Sequence, residues 1–421
     1  INFKIKEPKP EDKFELITRN TAGSNNLFTN FTSISSSSNK SSYYGYVNYK
    51  RGDGFRPNSE FESINTFQNF NYDLNEKSKI TGEITYMEYL AHQAGGLSDF
   101  MFANDPFQSN RERNWFEIKW FLYNLKYLLE ISENSSFSFS FFGLDAKRNS
   151  LGFRTNRVDQ IDYGEERDLI KGDFKNFGFE SRYLTNHNFF NTKSYLLLGV
   201  KYYNSYSQSV QGPGSSSKDA NFNFDYLNFP NYVNQSEYNY PNNNLAIFGE
   251  NIFYIDEKLS ITPGFRFENI STSLDGYYRK INLDAAGNTI YNERFDEKDT
   301  KKRKFLLLGL GLSYKNQGFE IYTNFSQNFR SVTFADISII NPSYAINPSI
   351  DDEKGFTFDL GLRGNYKKIV SFDSSIFALI YRDRIGFIQK AFRDGNVKSE
   401  RGNVGNAQIT GIESLFDFDV N

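Results

Sequence analysis

The sequence predicts an all-β fold, a transmembrane antiparallel β-barrel of about sixteen strands, and three observations carry this prediction. Aromatic residues make up 18% of the 421 residues, with 44 Phe and 28 Tyr, although only 38% of residues are hydrophobic. Mean hydropathy is −0.61. Apolar and polar residues alternate along the chain, and short and long connections alternate between the segments. A barrel wall with one face toward lipid and one toward water accounts for all three observations.

The alternation of side chains is the strongest local signal. The clearest examples are the segments 137–141, 259–268, 319–326 and 356–363. Because successive side chains of a strand point to opposite faces, each segment has one apolar and one polar face. Several segments run for about ten to fifteen residues, and a tilted strand needs about nine to eleven residues to cross a bilayer.

The connections alternate in length, as expected when successive strands end on opposite sides of a membrane. Short polar turns are predicted at 37–40, 73–77, 132–135, 185–188, 256–258, 315–318 and 367–368. Long connections are predicted at 51–60, 91–113, 148–173, 208–242, 273–300, 328–353 and 383–405. Within one long connection, the residues 284–288 have the composition of a tight turn, so that connection is expected to project as a hairpin. The short turns are expected on the periplasmic side and the long loops outside the cell.

Several classes of function are disfavoured by composition. The chain has no cysteine, which excludes disulfides and thiolate chemistry, and its net charge of −3 offers no basic face for nucleic acid. No apolar run approaches the length of a transmembrane helix. The two histidines, His92 and His187, lie near no nucleophile motif, so no catalytic residue and no metal ligand is predicted.

Several stretches resemble TonB-dependent outer-membrane transporters. The likeness covers the whole chain in the family's order, at 1–6, 259–268, 328–330, 347–363 and 403–413. It implies a bacterial outer-membrane location. It also implies that 1–10 are the end of a plug domain and its linker, and that 11–421 form the barrel. The family's barrel has twenty-two strands, so about six are expected beyond this chain, and the plug is expected to be missing except for its last strand.

Within that family the chain is most similar to ferric citrate receptors, through 51–56 and 95–98. This resemblance matches Arg148 and Gln389 to residues that contact the ferric chelate. Arg167 is the candidate for a second chelate arginine, in a loop of different length. A third has no arginine counterpart, because 235–240 occupies that region.

Arginine suits an anionic chelate because its planar fork can donate two hydrogen bonds to one carboxylate. Arg148 is predicted where a strand enters a long loop, and Arg154, Arg157 and Arg167 follow in that loop. The alternative for each is an ordinary solvated loop arginine. The run 301–304, Lys-Lys-Arg-Lys, is interpreted either as an anion-collecting patch or as a charged rim at the membrane interface, and we favour the rim.

The leading hypothesis is import of a ferric chelate, ferric citrate or a related siderophore, across the outer membrane. The expected partners are outer-membrane lipid, the chelate as transported ligand, and TonB, which would be reached through the segment missing from this chain. A surface lipoprotein is left open as a further partner. No resident cofactor is expected. One alternative is a receptor for another siderophore, cobalamin, a glycan or a peptide. Another is a passive porin-like channel, which requires the last strand to pair with the first. An enzyme is the least favoured class.

Overall fold

The chain is a sheet of long antiparallel strands, seen in a computed structural model that describes residues 13–155, 158–189, 192–333, 344–366, 369–392 and 397–419. The first strands and a short helix are β1 (Glu15–Ala22), β2 (Phe28–Ser37), β3 (Ser41–Gly52), β4 (Phe61–Asn75), β5 (Ser78–His92), α1 (Asp99–Asn104), β6 (Trp115–Ser132), β7 (Ser135–Gly152) and β8 (Arg167–Phe189). The remaining strands are β9 (Thr192–Gly214), β10 (Gln235–Tyr254), β11 (Leu259–Leu283), β12 (Thr289–Asn316), β13 (Phe319–Arg330), β14 (Tyr344–Ile346), β15 (Glu353–Tyr366), β16 (Val370–Ala391) and β17 (Val397–Phe418).

Apart from the three-residue β14, each strand pairs with the next one along the chain. Antiparallel registers join β1 through β13 in order. They continue from β13 to β15, β16 and β17, while the three-residue β14 pairs in parallel with β17. The prediction of an all-β barrel wall with about sixteen antiparallel strands is confirmed. Among the described residues no register joins β1 to β17, so the pairing required by the passive-channel hypothesis is not found.

One face of the sheet is an exposed apolar band. Along β12 it consists of Leu306, Leu308, Leu310 and Leu312, whose exposed fractions lie between 38% and 52%. Neighbouring strands contribute the same kind of side chain at matching register, including Phe265 and Phe267 of β11, Ile321 and Phe325 of β13, Phe358, Leu360 and Leu362 of β15, and Ile376 and Ile380 of β16. Apolar side chains left uncovered in this way are those expected of a lipid-facing wall.

The opposite face is polar and carries its own hydrogen-bond network. Glu83 of β5 accepts hydrogen bonds from Asn69 at 3.3 Å and Asn124 at 2.6 Å, and it pairs with Lys126 at 3.2 Å. Ser140 of β7 donates to Asn124 at 2.8 Å. These residues lie on four different strands, so the network runs across the wall rather than along one strand. A polar inner face of this kind is typical of a barrel lumen.

Two of the predicted long loops are in large part strand. β11 and β12 continue to Leu283 and Thr289, and β16 and β17 continue to Ala391 and Val397. The prediction of loops at 273–300 and 383–405 was therefore wrong in extent. Beyond the bilayer both faces of a hairpin meet water, so the apolar–polar alternation that reveals a strand is lost there.

The turn at the tip of the β11–β12 hairpin forms where it was predicted. Asp284 accepts hydrogen bonds from the N–H groups of Ala286 at 2.9 Å and Asn288 at 2.7 Å, and Gly287 has a φ of +83°. Helix α1 was not predicted, because its single turn and a half is too short to show periodicity. The described residues contain no helix long and apolar enough to cross a membrane. Residues 1–10, predicted as the end of a plug domain, lie outside the described residues.

Candidate functional site

Three long loops, which the structure describes at 93–114, 153–155 with 158–166, and 215–234, pack together at the ends of β5 to β10. Arg113, only 4% exposed, joins all three. Its Nε donates to the Asp162 carboxylate at 2.9 Å, and its Nη1 donates to the carbonyl oxygens of Glu165 at 2.7 Å and Ser216 at 2.8 Å. One buried side chain thus holds the loops in a single layer, which we call the loop layer.

Arg167, the first residue of β8, is fully buried beneath the loop layer. Its guanidinium donates to the Ser215 carbonyl at 2.8 Å, the Arg113 carbonyl at 3.1 Å and the Asp219 carbonyl at 2.7 Å. Two further hydrogen bonds reach the hydroxyls of Ser215 and Ser217. Burial, helped by the nearby charge of Arg113, lowers the pKa of Arg167 to about 10. The loops therefore occupy the fork that the resemblance assigned to a chelate.

Arg111, in the first loop, also holds the second loop through hydrogen bonds. It is 6% exposed, and its guanidinium donates to the carbonyl oxygens of Asn110, Val158 and Gln160. Burial lowers its pKa, while the charge of Asp162 opposes that shift. Burial by itself would raise the pKa of Asp162, but hydrogen bonds from Arg113 and the Gly164 N–H, with the charges of both arginines, hold it below its ordinary value.

Arg148 and Arg154 line one small cavity beside the loop layer. The cavity has a volume of about 340 Å³, and its polar lining also includes Gln93, Asn114 and Ser150. Arg148 lies near the end of β7 and is exposed, and its guanidinium carbon is 5.7 Å from the centre of the Phe174 ring. The structure therefore brings together two of the four predicted ligand residues.

Arg154 is partly engaged by a buried carboxylate. Its Nη1 lies 3.5 Å from Asp168, while its side chain remains 51% exposed. Asp168 also accepts hydrogen bonds from Gln211 at 3.0 Å and from the Tyr232 hydroxyl at 2.9 Å. Burial raises the pKa of Asp168 despite these donors and the charge of Arg154. The long Arg154–Asp168 contact leaves the guanidinium with donors free for a second anion.

Gln389 is placed elsewhere, on the outer part of β16. Its amide donates to the Ser399 hydroxyl of β17 at 3.2 Å, and eight strand pairings separate its strand from that of Arg148. No contact among the described residues joins Gln389 to the cavity. Arg157 lies outside the described residues.

Sequence reasoning missed Arg111, Arg113, Gln93 and Asn114. In sequence, Arg111-Glu112-Arg113 has the pattern of a solvated charged loop, and no local signal marks it as buried. Gln93 and Asn114 bracket the first loop, and the Gln93 N–H donates to the Asn114 carbonyl at 2.8 Å. Only the extension of the β5–β6 pairing beyond the bilayer would have indicated that these two residues face each other.

His92 closes the same end of the wall. Its ring stacks on Trp115 with centroids 4.1 Å apart, Nδ1 is 2.6 Å from the Glu60 carboxylate, and Nε2 is 2.8 Å from the Glu112 carbonyl. These contacts hold the first loop to β5. In the described part of the chain there is no group of three or more His, Cys, Asp or Glu side chains arranged to hold a metal ion.

Comparison with known proteins agrees with this architecture. Residues 11–420 match the family model described as TonB dependent receptor-like, beta-barrel. Similar solved structures include the ferric citrate transporter FecA in its unliganded form, with a TM-score of 0.68 and 16% identity over 97% of this chain and 55% of that one. The siderophore receptor PiuA from Acinetobacter baumannii has a TM-score of 0.74 and 12% identity over 99% of this chain and 62% of that one.

The ferric yersiniabactin uptake receptor FyuA from Yersinia pestis gives a TM-score of 0.70 at 12% identity, over 98% of this chain and 60% of that one. No curated relative matches the chain at a significant level. The chain thus spans less than two thirds of the length of these solved receptors.

The wall of long strands, the apolar outer band and the layered outer loops define a β-barrel of the bacterial outer membrane. The chain belongs to the TonB-dependent receptor family and forms part of its barrel. The predicted family and the outer-membrane location are confirmed. The family is one of receptors and transporters rather than enzymes.

Proposed function

We propose that this chain is the barrel wall of an importer for a ferric chelate, with ferric citrate or a related small carboxylate complex as the ligand. The observation that carries the proposal is the cavity shared by Arg148 and Arg154. The ferric citrate transporter FecA and two siderophore receptors are among the similar structures, which is consistent with this ligand class.

The chemistry of the cavity fits an anion rich in oxygen. Arg148 has no carboxylate partner among the described residues, so its fork is free to take a ligand carboxylate in bidentate fashion. Arg154 would exchange part of its 3.5 Å contact with Asp168 for a ligand oxygen. Gln93 and Asn114 add amide donors that discriminate between oxygen positions without adding charge.

The buried arginines have a different part in the proposal. Arg113 and Arg167 fix the loops that form the rim, so the cavity is shaped before the ligand arrives. A site organised in advance loses less conformational entropy on binding. We therefore assign Arg167 a positioning role, and we keep ligand contact for Arg148 and Arg154. Gln389 remains a more remote candidate, on a separate hairpin.

Energy for transport is proposed to come through TonB, as the family resemblance implies. The described residues supply the wall and the outer loops, whereas coupling and gating would fall to the family's plug. We infer no covalent chemistry and no resident cofactor, because the ferric chelate is cargo.

The test is uptake and binding of radiolabelled ferric citrate by cells that express the complete protein or its Arg148→Ala variant. A charge-assisted hydrogen bond contributes about 1.5–3 kcal/mol, so Kd should rise by roughly ten- to a hundredfold. Lys147→Ala is the matched control, because its side chain lies on the other face of β7 beside Asp173. Equal affinity in the Arg148→Ala variant and the parent protein would refute the proposed contact.

One observation favours a receptor for a different ligand on the same barrel. Gln235 lies at the start of the region that replaces a third chelate arginine. It is buried, and its amide donates to the carbonyl oxygens of Pro230 at 3.0 Å and Tyr232 at 2.9 Å. It therefore offers the ligand no cation. A competition assay with ferric citrate, catecholate and hydroxamate chelates decides the matter, and binding of another chelate without ferric citrate would overturn the citrate assignment.

A further inference from the structure

A buried carboxylate adjoins the ligand cavity. Asp168, the second residue of β8, is the register partner of Gly152 and lies two positions from Ile170, and both of these neighbours line the cavity. An offset of two keeps a strand residue on the same face. Asp168 therefore faces the inside of the wall beside the cavity, although it is only 6% exposed. A carboxylate buried this deeply needs partners for its charge.

The hydrogen bonds that hold Asp168 come from two other elements, and their donors are neutral. The Gln211 amide of β9 donates to both carboxylate oxygens at 3.0 Å. The Tyr232 hydroxyl, in the loop 215–234, donates to one of them at 2.9 Å. Burial, and then the charge of Asp168, raise the pKa of Tyr232 far above its ordinary value, so the phenol stays protonated. These donors orient the carboxylate without cancelling its charge.

Among the described residues, Arg154 is the one cation paired with Asp168. The contact is 3.5 Å long and the Arg154 side chain is 51% exposed, so the guanidinium can turn toward the cavity. Arg167, next to Asp168 in the chain, points to the opposite face and donates its hydrogen bonds to the loop layer. Half-buried Glu166 adds negative charge near Tyr232. The charge of Asp168 thus depends on Arg154.

An anion bound at Arg154 changes the surroundings of Asp168 in one direction. In the free protein, the charge of Arg154 opposes the rise that burial causes in the pKa of Asp168. A chelate carboxylate that engages the guanidinium weakens this opposition, and the negative charge of the chelate raises the pKa further. Both changes favour the neutral carboxyl. A buried carboxylate that loses its cation binds a proton instead of remaining charged.

We propose that Asp168 is a positioning residue for Arg154 and that it takes up a proton when the anionic chelate binds. In the free protein the carboxylate holds the guanidinium at the edge of the cavity. In the complex the chelate replaces it as the partner of Arg154, and a proton from solvent neutralises Asp168. The protonated carboxyl still accepts from Gln211 and can donate to the Tyr232 oxygen. This inference rests on the proposed function, because it needs an anionic ligand at Arg154.

The coupling makes affinity depend on pH in a defined direction. The pKa of Asp168 is higher in the complex than in the free protein, so the complex holds more protons between the two values. Affinity is therefore greatest below this window and falls as the pH rises through it. The slope of log Kd against pH counts the protons taken up.

The test is isothermal titration calorimetry of ferric citrate binding to the complete protein, purified in a neutral detergent, over a series of pH values. Buffers of different ionisation enthalpy give the number of protons taken up per bound chelate. Because ferric citrate changes its own protonation with pH, the quantity compared is the difference between parent and variant. Asp168→Asn should take up fewer protons than the parent, by up to about one per chelate, and its Kd should depend less on pH.

Asp173→Asn is the matched control, because Asp173 lies on the same strand but on the opposite face, beside Lys147. It should take up as many protons as the parent. Arg154→Gln should take up fewer, because Asp168 has lost its cation before the ligand arrives. Protons are counted per bound chelate, so a smaller fraction of folded protein does not change the result.

Two outcomes separate this inference from the proposed function. Equal proton uptake by the parent and by Asp168→Asn overturns the inference and leaves the proposed ligand in place. Absence of ferric citrate binding by the parent protein overturns the proposed function, and the inference falls with it.

Discussion

Arg167 offers the sharpest test of how the outer loops are held. Replacing it by alanine removes the donor of five hydrogen bonds to 113, 215, 217 and 219. Removing one partner of a buried charged network costs about 3–5 kcal/mol. Because the loop layer can open and admit water, we expect the lower end, about 3 kcal/mol, applied to local opening rather than to unfolding of the barrel.

Hydrogen exchange measures that opening directly. The N–H of Asn110 donates to Ala94 at 3.2 Å and the N–H of Asp225 donates to Pro213 at 2.8 Å, so both amides report on the closed loop layer. A loss of about 3 kcal/mol speeds their exchange by on the order of a hundredfold, since each 1.4 kcal/mol is a factor of ten. Amides in the centre of β6 and β7 should be unaffected.

Arg182→Ala is the matched control, since Arg182 lies on the same strand, β8, and is 54% exposed in its pair with Glu180. Its exchange at Asn110 and Asp225 should equal that of the parent. An increase of less than about threefold in the Arg167→Ala variant would show that this arginine does not hold the loops, and the positioning role assigned to it would fall.

Two further predictions concern the loop layer and the lipid-facing wall. Because the folded-state pKa of Asp162 is below its ordinary value of 3.8, its tie to Arg113 should be fully present above that value and be lost as the pH falls through the lowered one. Protection factors in 158–166, which correct exchange rates for the intrinsic effect of pH, should therefore be equal at pH 7 and pH 5 and fall only below the ordinary pKa of 3.8. In the Asp162→Asn variant they should be low at every pH. Leu308→Lys places a charge in the apolar band and should destabilise the folded barrel by about 2–4 kcal/mol, measured as a shift in the midpoint of urea unfolding. Leu307→Lys, on the inner face, should shift the midpoint less. Equal shifts for the two variants would mean that the lipid-facing and inner faces are assigned wrongly.

The barrel wall could be predicted from sequence because its pattern is local. A strand between lipid and water must alternate apolar and polar side chains. Apolar residues two positions apart, such as Leu306 and Leu308, show this alternation in the sequence. The short turns follow from the same rule, since each marks where one alternating segment stops. Where both faces meet water, as in the outer part of β11 and β12, the requirement ends and the sequence no longer distinguishes strand from loop.

The ligand cavity was only partly predictable, because its geometry depends on contacts between distant segments. Arg148, Arg154 and Arg167 lie within twenty positions of one another and have the same side chain. The partners that bury Arg167 lie at 113, 215, 217 and 219, some fifty residues away in either direction. No local pattern could separate the buried arginine from the exposed one.

What distinguishes these arginines is where the wall ends. Arg167 is the first residue of β8, at the end of the strand nearest the three loops. The loops cover it, and backbone carbonyl oxygens accept its hydrogen bonds. Arg148 lies four residues inside the end of β7, on the edge of the cavity, so its donors remain exposed. The position of an arginine relative to the end of its strand thus decides whether it organises the site or can bind the ligand. This position depends on strand register, which the apolar–polar alternation of the sequence does not predict by itself.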